Sequence, residues 1–143
     1  MPTHQEKKIL PYTKEQLFDL IVDIDAYPKF LPWCVGARIT KKEEQVIWAD
    51  LMIGYKMLRE KFSSKVVLEY PDMITVEYQT GPMKYLRNYW RLREMPGGHT
   101  EIDFFVDFEF KSKLFHSLSV LFLNEIIKHM VSAFEERAEE LYT

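Results

Sequence analysis

The chain has one cysteine, Cys34, among 143 residues. No internal disulfide can form, and a reducing compartment is the simplest setting. Its five glycines form neither a glycine-rich phosphate loop nor the sharp elbow that presents a catalytic serine. The four histidines, His4, His99, His116 and His129, show no metal-ligand spacing. Glu125 and His129 stand one helical turn apart, a spacing usual for a surface contact. No nucleophile with a neighbouring base can be read from spacing, so no catalytic residue and no metal site are assigned. No run approaches the roughly 20 apolar residues of a membrane span; near the C-terminus the longest is Val120-Leu121-Phe122-Leu123. Met1 to Lys8 lack a signal peptide's apolar core and the Arg- and Ser-rich character of a transit peptide, so a cytoplasmic location is expected. A net charge of −3 argues against a general nucleic-acid binder but not against a local basic patch.

What the chain has is apolar and aromatic surface: 10 Phe, 8 Tyr and 3 Trp, enough for one core in one domain spanning 1–143. Two stretches alternate with period two. Leu86, Asn88, Trp90 and Leu92 share one face of a strand over 85–93, and Ile102, Phe104, Val106, Phe108 and Phe110 share one face of a strand over 101–110. The opposite faces carry Arg87, Tyr89, Arg91 and Arg93, then Glu101, Asp103, Phe105, Asp107 and Glu109. Such alternation marks an antiparallel sheet with one covered face and one wet face. Pro96-Gly97-Gly98 suits a three-residue hairpin turn with glycine in the left-handed region. That turn sets Arg93 opposite Glu101, Arg91 opposite Asp103, Tyr89 opposite Phe105 and Arg87 opposite Asp107. The inner pairs are then Leu92 with Ile102, Trp90 with Phe104, Asn88 with Val106 and Leu86 with Phe108. The paired acids neutralise the arginine stripe; Lys84 and Arg87 are its better candidates for touching phosphate or lipid headgroups.

Before the hairpin, a strand over 4–11 ends at Pro11. Thr13 and Gln16 form a capping-box pattern that opens a helix. Asp25 is expected to cap a second short helix, with Pro28 in its first turn and Pro32 after its end. Strands follow over 35–41, 45–53, 56–69 and 73–79. Leu114 to Leu141 reads as one helix, apolar nearly all round in its first half and acidic at Glu135, Glu136, Glu139 and Glu140. The order of strand, two helices, six strands and helix predicts an α+β helix-grip fold: a curved, mostly antiparallel seven-stranded sheet wrapped around a long C-terminal helix. An apolar space between sheet and helix is expected to carry the function. Trp90, Phe104, Phe62, Phe108 and Leu86 are expected on its sheet side, with Leu118, Phe122 and Met130 on its helix side. Asn88 and Glu60 would be inward polar groups that orient a ligand, or would bond neighbouring backbone or reach water. Tyr27, Phe30 and Trp33 would form part of the mouth. The excess apolar surface of the helix fits either a homodimer contact or a lipid-facing opening.

Tyr27-Pro28-Lys29-Phe30-Leu31-Pro32-Trp33-Cys34 resembles a phrase of the coenzyme Q-binding protein family, in the START-like, polyketide-cyclase-like superfamily. Further matches run in order: Phe18 to Asp23, Glu60 to Ser64, Gly81 to Trp90, Asp107 to Ser112 and Met130 to Ala138. The resemblance covers nearly the whole chain. It implies a helix-grip fold with a deep apolar cavity, and binding of ubiquinone or a similar isoprenoid lipid in support of respiration, as a lipid chaperone rather than an enzyme. Ubiquinone would be a bound ligand; no cofactor is expected. The same group includes proteins called ribosome association toxins, so the large ribosomal subunit is the alternative partner, and the superfamily's cyclases keep an enzyme alternative open. Mitochondrial members carry a presequence. Its absence here fits a bacterial cytoplasmic protein that touches the inner membrane transiently.

Overall fold

Alternation and turn chemistry meet in the hairpin. In the computed structural model, which describes residues 3–55, 58–111 and 125–143, β6 (Met83–Met95) pairs with β7 (His99–Phe110) in the expected register, from Leu86 opposite Phe108 to Arg93 opposite Glu101. Pro96–Gly98 makes the turn, with Gly97 at φ 80° and Gly98 at φ 78°. Only glycine adopts these angles without strain.

Around this hairpin the strands form one antiparallel sheet in the order β1-β7-β6-β5-β4-β3-β2. The other strands are β1 (Thr3–Leu10), β2 (Cys34–Lys42), β3 (Val46–Tyr55), β4 (Leu58–Glu69) and β5 (Met73–Thr80). Register shifts interrupt the ladders at Cys34/Gly36, Ile39/Lys41, Ser63/Ser64 and Met83/Tyr85. Each inserts an unpaired residue that bends its strand and lets the sheet curl. Gly81, at φ 150°, joins β5 to β6 where a Cβ would come within 2.6 Å of the Phe62 Cβ and 2.8 Å of the Tyr78 hydroxyl.

The capping box forms as expected: the Gln16 N–H donates to Thr13 Oγ1 at 3.1 Å, and the Thr13 N–H donates to Gln16 Oε1 at 2.9 Å. It opens α1 (Lys14–Val22), which buries Leu17, Phe18, Leu20 and Ile21. A 3-10 turn over Ile24–Ala26 leads into α2 (Tyr27–Phe30), with Pro28 in its first turn. Asp25 does not cap α2. It lies inside the 3-10 turn, and its carboxylate accepts the Ile39 N–H of β2 at 3.3 Å, tying the helical excursion to the sheet.

Nor is the C-terminal helix continuous. Residues 125–128 are helical, a turn intervenes, and α3 runs over Met130–Tyr142. At the break His129 adopts φ −103°, ψ 4°, and its N–H is shared between the carbonyls of Glu125 (3.3 Å) and Ile126 (3.2 Å). A shared N–H of this kind tightens the local turn. Val131, Phe134 and Ala138 form the buried stripe of α3. Its outer side is tied to β1 by Lys8 and Glu135 at 2.5 Å, and its end to α1 by the Tyr142 hydroxyl, which donates to the Gln16 carbonyl at 2.9 Å. The part of the predicted helix holding Leu118 and Phe122 lies outside the described residues.

Candidate ligand-binding cavity

The inner face of the sheet and the helices do not close completely on each other. Between them lies a void of about 140 Å³ for the centre of a water-sized sphere, and of about 1080 Å³ when all non-atom space including the open side is counted. Alternation supplies the sheet wall: Phe62, Ser64 and Val66 from β4, Leu86, Asn88 and Trp90 from β6, and Phe104, Val106 and Phe108 from β7. Ile21 and Ile24, followed by Tyr27, Leu31 and Trp33, close one side, and Ile126, Ile127, Met130 and Phe134 close the other. Almost every lining atom is carbon.

Aromatic rings in mutual contact make up one part of the wall. Phe134 meets Trp90 at 4.8 Å, Tyr27 at 5.5 Å and Phe30 at 5.1 Å between ring centres, all edge to face, and Trp90 meets Phe104 at 4.5 Å. Edge-to-face contacts favour defined ring orientations, so this part of the wall is preformed. Burial, with smaller pushes from Cys34 and Asp23, raises the Tyr27 phenol far above its ordinary range. It therefore stays protonated and donates to the Ile21 carbonyl. The Cys34 thiol is pushed up to about 11 by burial, only partly offset by its bond to the Gly36 carbonyl. At neutral pH it is a thiol packed in the core, without the thiolate a nucleophile needs.

Of the residues the sequence points to, the structure brings Trp90, Phe104, Phe62, Phe108, Leu86, Asn88, Met130, Tyr27 and Trp33 around one void. Two others fall elsewhere. Glu60 shares the face of Phe62 but sits two residues from the start of β4, half-buried and outside the lining, where its charge acts on the Tyr78 hydroxyl. An unpaired carboxylate within the apolar wall would be costly; the margin of the sheet keeps it near water. Phe30 packs behind the wall, between Phe134 and the Arg137 guanidinium, which lies 5.4 Å from its ring centre. Asn88 bridges to the neighbouring strand: its Nδ2 donates to the Phe105 carbonyl at 2.8 Å.

Sequence reading missed Ser64, although the alternation that points Phe62 and Val66 inward requires it. It is 5 % exposed, lines the void, and its Oγ has no hydrogen-bond partner among the described residues. The aliphatic lining from α1, β3 and β5 was also missed; it reads in sequence as ordinary core.

The outer face is largely neutralised, with one departure. Arg93 meets Glu101 at 3.1 Å and Arg87 meets Asp107 at 4.0 Å. Arg91 instead lies over the Tyr89 ring at 5.3 Å, while Asp103 accepts from Gln5 Nε2 at 3.0 Å. β1, added on the far side of β7, supplies that competing donor. A second cationic group lies farther along the sheet, where Trp48 has the Lys41 ammonium 4.8 Å and the Lys65 ammonium 6.0 Å from its ring centre. Among the described residues no cluster of His, Cys, Asp and Glu could hold a metal, and no helix is long and apolar enough to cross a membrane.

A cavity of this composition holds apolar molecules by burial, at roughly 25 cal/mol per Å² of apolar surface, and sorts them by a few polar positions. Known proteins with this arrangement fall into several functional groups. The chain is 37% identical over 145 residues to a ribosome association toxin, RatA, of Rickettsia prowazekii, covering 99% of both chains. It is 31% identical to a mitochondrial coenzyme Q-binding protein, COQ10 homolog B, of Xenopus laevis, over 97% of this chain and 59% of that longer one. In fold it matches an 18 kDa protein of Caulobacter crescentus (36% identity, TM-score 0.76, 99% of both chains). It also matches the Zhui aromatase/cyclase of a Streptomyces species (12% identity, TM-score 0.84, 96% of this chain and 93% of that one). The latter likeness extends to the helix-grip, START-like fold alone. Residues 10–135 match the family described as polyketide cyclase / dehydrase and lipid transport, and the chain belongs to that family.

Proposed function

We propose that this protein binds a hydrophobic isoprenoid lipid, ubiquinone or a close relative, and carries it in support of respiratory electron transport without transforming it. The observation that carries the reading is the void between sheet and helices, walled by carbon and interrupted by very few polar side chains. Pockets for drug-sized ligands run to roughly 300–1,000 Å³. The void here is smaller by the measure that excludes open solvent, about 140 Å³, so a ligand would place an oxygenated ring or the start of a tail inside, with the rest leaving through the mouth. Loading and release then need only transient contact with a membrane surface. The kinship with coenzyme Q-binding proteins supports the choice of ligand. The reading as a carrier rests on the lining: the two polar side chains on the sheet wall, Ser64 and Asn88, are neutral, and the Cys34 thiol is held protonated. Delipidated protein titrated with a short-tailed ubiquinone, without detergent, should show saturable binding near one per chain. Absence of saturation would remove the carrier reading.

A second reading, association with the large ribosomal subunit, draws on the kinship with RatA and on Trp48 between Lys41 and Lys65. An aromatic ring flanked by cations is a platform for stacking bases beside phosphates. Glu43 lies 3.3 Å from Lys41 and weakens it. Cosedimentation with ribosomal subunits at physiological salt, lost in Lys41→Glu/Lys65→Glu or in Lys84→Glu/Arg87→Glu, would put this reading first.

A further inference from the structure

Adjacent serines on β4 have opposite fates. Ser63 points outward and donates to Asp50 Oδ1 at 2.6 Å. Ser64 points inward, between Phe62 and Val66 and beside Ala49 of β3, where its hydroxyl is shut off from water and has no partner among the described residues. The ladder with β5 slips at this point: Ser63 faces Thr80 and Ser64 faces Tyr78, leaving Gln79 without an opposite residue. Such slips re-aim side chains and recur beside binding sites. Among the described residues the other oxygen-bearing side chains of the lining each make a bond, the Tyr27 hydroxyl to the Ile21 carbonyl and the Asn88 Nδ2 to the Phe105 carbonyl. A buried hydroxyl with no partner lowers the stability of the empty protein. An alanine would fill the same place without that cost.

We infer that Ser64 is the specificity-determining anchor of the cavity, and that it donates a hydrogen bond to an acceptor oxygen on an otherwise apolar ligand. The inference rests on the lipid-binding reading and adds to it a ligand class and an orientation. The ligand carries a carbonyl or comparable oxygen, and its oxygenated end lies against β4 rather than at the mouth. An oxygen-free hydrocarbon fills the same space but leaves the hydroxyl unpaired, so it gains nothing from Ser64.

The test compares wild type, Ser64→Ala and Ser64→Thr, all delipidated, with two probes: a short-tailed ubiquinone and an oxygen-free isoprenoid hydrocarbon of similar length. Binding is read by quenching of the cavity tryptophans, and the Tm of each unliganded variant is measured. Ser64→Ala should bind the quinone about tenfold more weakly, as for one lost hydrogen bond of roughly 1.4 kcal/mol, and bind the hydrocarbon as wild type does. Its unliganded Tm should equal or exceed that of wild type, and Ser64→Thr should recover most of the preference for quinone. If Ser64→Ala binds the quinone as wild type does, the anchor is refuted while the lipid-binding reading stands. A fall in unliganded Tm on Ser64→Ala would make the hydroxyl structural and also refute it. Wild type that takes up neither probe sinks the lipid-binding reading itself.

Discussion

Individual side chains divide between those that hold the cavity open and those that fasten its back. Trp90 belongs to both sets, since it lines the void and is pinned by Phe104 and Phe134. Trp90→Ala should cost about 3–5 kcal/mol, the usual loss for a large aromatic taken from a packed interior, visible as a lower urea midpoint even without ligand. Asp50 works on the other surface. The Ser63 hydrogen bond, helped by Lys61 and Arg38 and opposed by partial burial, holds its carboxyl below the ordinary 3.8. The unfolded chain therefore takes up the proton first as pH falls. The stabilisation from Asp50 is complete above that value and fades as pH drops through the lower pKa of the folded protein. Asp50→Asn should lower the urea midpoint at pH 7, and the gap to wild type should shrink below pH 3.8. A gap independent of pH would show that the charge is not responsible.

Elements show why some of the fold was legible and some was not. The β6–β7 hairpin could be read residue by residue because period two, the odd-numbered turn and the charge pairs all demanded one register. Its two faces contribute unequally. Leu92→Ala, on the buried face, should cost about 2–5 kcal/mol. Arg93→Ala breaks a pair whose arginine is 67% exposed and should cost about 0–1 kcal/mol. Chemical denaturation of the two variants checks the contrast. The slips in the ladders were not legible, since a single unpaired residue leaves no periodic trace. Ser64 lies in an unbroken alternation of β4 and could have been read as inward-facing from Phe62 and Val66; a small serine between them draws less notice than Asn88. Asp25 was misread because an acid ahead of a helical turn looks like a cap; its partner, the Ile39 N–H, comes from a strand fourteen residues away. For Glu60 both a ligand contact and a wet position stay open in the sequence, because alternation gives the face of a residue but not its distance from the end of the sheet; the structure puts it outside the lining.

At the scale of the whole molecule, one sheet presents two chemistries: carbon toward the helices and balanced charge toward water. The His4 ring centre lies 6.3 Å from that of Phe104, while two other histidines stand apart. Neither His99 nor His129 lines the void, so replacing both with alanine should leave quinone affinity within a few fold, as measured by the same titration. A larger loss would bring acid–base chemistry, and the cyclase alternative, back into consideration. The carbon-walled void also has a mechanical side. An apolar cavity stays dry, so the folded chain encloses volume that water fills once the chain opens. The void adds to the roughly 20–100 mL/mol by which unfolding usually shrinks a protein, a change that grows with internal void volume. Hydrostatic pressure should therefore unfold the empty form readily, with loss of tryptophan fluorescence as the readout. A guest that fills the void removes this compressible reserve, and the loaded protein should withstand the higher pressure.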